Sequence, residues 1–131
     1  MSDGLCSLRL TRRYAAAPDE VWGALSDPGS LARWLAVPRV IELRRDGRFE
    51  LELPGGGRVE GRVREVEPGR VLVLDWRYGE EAPSIVRFEL SADGEETVLV
   101  LEHSRIEESL GMVYIARWSG AVERLGERIA R

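Results

Sequence analysis

The sequence predicts an α+β domain in which a curved antiparallel sheet of about seven strands wraps one long C-terminal helix, with two short helices after the first strand. Three observations predict it. Leu110–Arg131 has one apolar stripe at helical spacing and needs a partner to bury it. Most of the chain before it alternates apolar and polar residues between glycine- and proline-marked turns. Two proline-initiated helical patterns, near Pro18 and Pro28, interrupt that β-pattern early and then stop.

Taken in order, Leu5–Tyr14 alternates, with Leu8 and Leu10 on one side and Arg9 and Thr11 on the other, as a strand does. Pro18 opens a short helix whose first turn carries Asp19 and Glu20, and Val21, Trp22 and Leu25 form its apolar side. Asp27 is placed to cap a second helix with Pro28 in its first turn. Leu31, Trp34 and Leu35 face inward and Pro38 ends it. Asp46-Gly47 predicts a two-residue hairpin between Ile41–Arg45 and Arg48–Leu53. Pro54–Gly57, Pro68-Gly69 and Asp93-Gly94 mark turns between Arg58–Val66, Val71–Tyr78, Ser84–Leu90 and Thr97–His103, with Gly79–Pro83 as a longer connection.

Alternation places Phe49, Leu51, Leu53, Val59, Val63, Leu72, Leu74, Trp76, Val86, Phe88, Leu90, Leu99 and Leu101 against the helix. Arg48, Glu50, Glu52, Arg58, Glu60, Arg62, Arg64, Arg87 and Glu89 fall on the solvent face. Gly61 falls on the inward face with no side chain to pack, leaving room for curvature or for a guest. On the last helix Tyr114, Trp118, Ala121, Val122, Leu125 and Ile129 share the buried stripe, opposite Arg117, Glu123, Arg124, Glu127 and Arg128. Ser109 is placed to cap its start, and Glu127 pairs with Arg131 one turn on.

A chain of 131 residues is enough for one domain and too short for two ordinary ones, so 1–131 reads as a single domain. Hydrophobic residues at 44% and charged residues at 32% fit a folded, soluble protein. The net charge of −4 sets up no basic field for nucleic acid or an anionic membrane. Met1–Leu10 lacks a cationic segment followed by an apolar run, and no apolar stretch is long enough to span a bilayer, so neither export nor membrane insertion is expected. The lone Cys6 fits a reducing, cytoplasmic setting and reads as a small apolar filler in a strand.

Several motifs agree with one family. Arg12-Arg13, Ala17-Pro18-x-x-Val21-Trp22, Ser26-Asp27-Pro28, Leu31 and Trp34 resemble the opening of the helix-grip, START/Bet v 1-like domains of the SRPBCC superfamily. Leu72–Trp76, Thr97–Ser104 and Trp118 with Leu125 follow in the same order and spacing. The closest resemblance is to the Activator of Hsp90 ATPase homologue (AHSA1-like) branch, over roughly Leu8 to Ile129. It departs at Arg45-Asp46-Gly47, where proline-glycine-glycine is usual, and at Arg117, where a glycine commonly precedes the helix tryptophan. The resemblance implies the fold. For function it implies a range, from lipid carriers and hormone receptors to polyketide cyclases and co-chaperone domains.

The residues themselves narrow that range. One His and one Cys make no metal set, and no acidic run has the spacing of a calcium loop, so no metal or cofactor is expected. Gly55–Gly57 lacks the following Lys-Ser/Thr of a phosphate loop and reads as a hairpin turn. The remaining candidate is the groove between sheet and last helix. Its candidate wall is Trp34, Phe49, Trp76, Phe88, Leu101, Tyr114 and Trp118, and its candidate polar groups are Tyr78 and His103. Each aromatic has a second reading as a plain core filler, and His103 has one as a core histidine bonded to backbone.

Three functions stay open at this point. The first is non-enzymatic binding of a hydrophobic or aromatic small molecule. The second is a cyclase-, dehydratase- or hydrolase-like reaction using His103 and Tyr78. The third is a protein-binding module like the Hsp90 activator. Binding ranks first because only one convincing titratable group is placed inside. Met112, Val113 and Ala116 project away from the Trp118 face, where they are either covered by a neighbouring segment or form a homodimer contact.

Overall fold

A computed structural model describes residues 4–129. The strands are β1 (Leu5–Tyr14), β2 (Val37–Ile41), β3 (Arg48–Glu52), β4 (Arg58–Glu67), β5 (Val71–Tyr78), β6 (Ser84–Asp93) and β7 (Glu96–Glu107). The helices are α1 (Pro18–Ser26), α2 (Pro28–Trp34) and α3 (Gly111–Ile129). All seven strands form one antiparallel sheet in the order β1-β7-β6-β5-β4-β3-β2. The expected architecture, a curved sheet gripping a terminal helix with two helices between β1 and β2, is the one observed.

Each short helix starts where its sequence says it should. Proline sits in the first turn of both, where its missing N–H costs nothing. The Asp27 carboxylate accepts the Ser30 backbone N–H at 2.9 Å, capping α2. The indole N–H of Trp34 donates to the Ala24 carbonyl at 2.8 Å and ties α2 back onto α1.

The inward face of the sheet meets the stripe of α3. Phe49, Leu51, Val59, Val63, Leu72, Leu74, Trp76, Val86, Phe88, Leu90, Leu99 and Leu101 are buried as the alternation requires, and Leu53 is half-buried near a turn. Tyr114, Trp118, Ala121, Val122 and Leu125 are the buried face of α3. At its far end the Tyr14 hydroxyl of β1 donates to the Val122 carbonyl at 3.0 Å.

The structure corrects two expectations. The first concerns β2, which lies at Val37–Ile41 and not at Ile41–Arg45, so the connection to β3 is not a two-residue hairpin. Pro38 is inside this edge strand, where a missing N–H is tolerated, and the register slips between Pro38 and Val40. Asp46-Gly47 does turn the chain: Asp46 has φ of 65°. Its amide donates to the Val63 carbonyl, and the Val63 amide donates back to Gly47, so the segment docks on β4. The second concerns Ser109. It lies within a 3-10 turn, Glu108–Leu110, that runs directly into α3, and does not stand ahead of the helix as a cap. The expected Glu127–Arg131 pair falls outside the described residues.

Gly61 leaves no room for a guest. A Cβ there would overlap the carbonyl oxygen of Asp75 on β5, so the absent side chain permits a close backbone approach. Met112 is 80% exposed and Val113 44%, with Ala116 exposed beside them, so no segment among the described residues covers them. No helix among the described residues is long and apolar enough to cross a membrane.

Candidate functional site

Where α3 crosses the end of β5, the two elements separate enough to leave a cleft of about 250 Å³. Tyr114, Trp118 and Ala121 contribute from α3, and Trp76 and Tyr78 from β5. Leu35, following α2, and the turn residues Leu53, Pro54 and Gly56 complete the apolar lining. Gly120 lies on this stretch of the helix, and the lining also includes Ala116, Arg117 and Arg124. The volume is just below the usual lower limit of small-molecule pockets, roughly 300 Å³.

Beneath the cleft is a packed aromatic cluster. The Trp76 and Trp118 ring centroids are 5.3 Å apart, and Phe88 meets Trp118 edge-on at 5.8 Å. His103, on β7, is fully buried among them, 4.5 Å from the Tyr114 ring. Its hydrogen bonds define its tautomer. The Trp118 indole can only donate, and its Nε1–H points at His103 Nδ1 over 3.0 Å, so Nδ1 is bare. The proton is then on Nε2, which donates to Ser84 Oγ at 2.7 Å. The Ser84 hydroxyl donates onward to the Trp76 carbonyl at 3.2 Å. Burial lowers the His103 pKa to about 4. The bonding acts in the same direction, because a proton on Nδ1 would face the Trp118 N–H.

Two groups at the cleft depart from this closed bookkeeping of donors and acceptors. The Trp76 indole N–H is buried with no hydrogen-bond partner among the described residues. It nevertheless lies near enough to the Tyr114 hydroxyl to favour that phenol's ionised form. The Tyr114 pKa is still raised, chiefly by burial and then by Glu81, whose carboxylate accepts its hydroxyl at 2.6 Å. At the rim the Arg117 guanidinium stacks 4.8 Å above the Tyr78 ring.

The structure thus sorts the sequence candidates into three places. Trp76, Tyr78, Tyr114 and Trp118 meet on the cleft. Trp34, Phe49 and Phe88 instead surround a void of about 20 Å³ under α2, a gap in side-chain packing. Leu101 and His103 are fully buried and line neither space. Sequence reasoning missed Leu35, Leu53, Gly120 and Arg124 as lining residues, and Ser84 as the partner of His103. Glu65 is exposed on β4.

The sheet, the gripped helix and the cleft between them define a helix-grip domain with a small apolar recess. The family model described as "Activator of Hsp90 ATPase homolog 1-like protein" matches residues 15–130, and the chain belongs to that family. No curated protein matches it in sequence. Among solved structures, CalU16 from Micromonospora echinospora is 34% identical, with a TM-score of 0.84 over 95% of this chain and 76% of that one. DynU16, a protein in the dynemicin biosynthetic locus, is 25% identical with a TM-score of 0.86, over 96% of this chain and 47% of that one. CV1439 from Chromobacterium violaceum, at 23% identity and a TM-score of 0.84, shares the fold over 95% of this chain and 97% of its own.

Proposed function

We propose that this protein binds a hydrophobic or aromatic small molecule, without catalysis, in the cleft between β5 and α3. The observation that carries the reading is the cleft itself, lined by the rings of Trp76, Tyr78, Tyr114 and Trp118. A relative from a biosynthetic locus supports a small organic ligand. Binding is favoured over reaction because His103, the strongest acid-base candidate, has both ring nitrogens engaged and lies off the cleft. Trp34, Phe49, Phe88, Leu101 and His103 then support the wall from behind. A free Cys6 supports a reducing, cytoplasmic setting for this role.

The neutral dye N-phenyl-1-naphthylamine tests the reading, because its emission rises on entering an apolar site. Titration should give a saturable rise at one equivalent per chain. A linear, unsaturated response would remove the cleft as a binding site.

The exposed Met112, Val113 and Ala116 support a homodimer contact as part of the same proposal. Sedimentation should show a concentration-dependent dimer that Met112→Glu abolishes. A monomer at every concentration would discard that contact.

A further inference from the structure

The cleft is apolar in its walls and one-signed in its charge. Its lining includes two guanidinium groups, Arg117 and Arg124, and no carboxylate. This holds in a chain whose formal net charge is −4. Among the described residues neither arginine forms an ion pair, while eight others do, all on the β-strands or their turns. Glu81 is not among the lining residues, and its carboxylate accepts the hydroxyl of Tyr114, which is.

The two arginines are not equivalent. Arg124 is committed in part, since its Nε–H donates to the Trp34 carbonyl at 3.1 Å. Its guanidinium lies over Gly120, where even a Cβ would come within 3.2 Å of Nη1. Arg117 makes ring contacts only, 4.8 Å from the Tyr78 centroid and 5.9 Å from that of Tyr114. A guanidinium held over a ring by its charge, with no hydrogen bond described, keeps its N–H groups to meet an acid in a fork. The unpartnered Trp76 N–H is a further donor on the same cleft. Every uncommitted polar group described here, the Tyr78 hydroxyl apart, is a donor or a cation.

We infer that the cleft selects apolar molecules that carry an acid group, a carboxylate or sulfonate, with Arg117 as the residue that determines the preference. This rests on the binding role proposed above and names the ligand's chemistry. The acid sits at the rim against the N–H groups of Arg117, and the apolar body lies in the cleft over Trp76 and Trp118. Arg124 adds to the local positive potential.

Calorimetric titration of 2-naphthoate against its neutral counterpart 2-naphthamide tests this on the intact chain. The acid should bind more tightly by about tenfold. Arg117→Gln, an exposed substitution whose folding a thermal melt can verify, should reduce the ratio to within about threefold. Decanoate against decanamide shows whether the preference extends from an aromatic to an aliphatic body; an acid preference in either series supports the anion site. Amides binding as well as the acids in both series, acid preference surviving Arg117→Gln, or no binding by either acid would overturn it. If N-phenyl-1-naphthylamine binds while the acid preference is missing, only this inference fails. If the dye does not bind either, the cleft reading fails with it.

Discussion

Trp118→Ala should lower the unfolding free energy by about 3–5 kcal/mol, the usual cost of removing a large buried aromatic. Trp118 is 2% exposed and packs against Trp76, Phe88 and His103. Its truncation also removes the N–H that satisfies His103 Nδ1, leaving a buried acceptor unpaired. Because the same ring walls the cleft, dye binding should be lost in the variant as well. Urea denaturation measures the first effect and dye titration the second. A loss near 1 kcal/mol would mean that the ring chiefly lines open space and that the aromatic cluster is not the structural centre assigned to it.

The second large effect is one of pH. His103 is the only histidine, so its imidazole signals in a proton spectrum report this site alone. They should not titrate between pH 8 and 5, because burial holds the folded pKa at about 4 against an ordinary 6.5. The sign for stability follows from proton uptake. Below pH 6.5 the unfolded chain takes up a proton that the folded chain refuses, so stability falls as pH falls. The loss levels off below pH 4 and totals about 3.5 kcal/mol, at about 1.4 kcal/mol per pH unit. Above pH 6.5 the contribution is flat. His103→Gln, which retains a donor toward Ser84 and cannot titrate, should show a shallower decline between pH 7 and 4.5, by about 2–3 kcal/mol. Parallel stability curves, or an imidazole midpoint near 6.5, would show that the ring is not sealed in the network described.

The period-2 pattern of the strands made most of the architecture legible. From Phe49 to Leu101 the inward set follows from alternation, except that β5 is buried on both faces at Val71–Leu74 and shows no alternation there. β2 was not legible. Val37-Pro38-Arg39-Val40-Ile41 does not alternate, it is an edge strand with a register slip, and its residues are half-buried or exposed. The Asp46-Gly47 signal drew the predicted strand to the wrong flank, because a local turn preference says nothing about docking on Val63.

The site was legible as a set of rings but not as a place. Alternation puts Trp76, Phe88 and Leu101 on one face without saying which lies beneath the gap, and that depends on where α3 crosses the sheet. Ser84 as the partner of His103 is equally hidden, since it requires the register between β6 and β7. Arg117 carried a signal as a departure from the family pattern directly before Trp118, and Gly120 carried one as a small residue beside it.

The central claim is that a small apolar guest enters the cleft between β5 and α3, against Trp76 and Trp118. The chain has four tryptophans, and each contributes one indole N–H signal to a nitrogen-resolved NMR spectrum. Titrated with N-phenyl-1-naphthylamine, the Trp76 and Trp118 indole signals should shift saturably, while those of Trp22 on α1 and Trp34 on α2 stay in place. Shifts confined to Trp22 or Trp34, or four unmoved signals at saturating dye, would contradict the account.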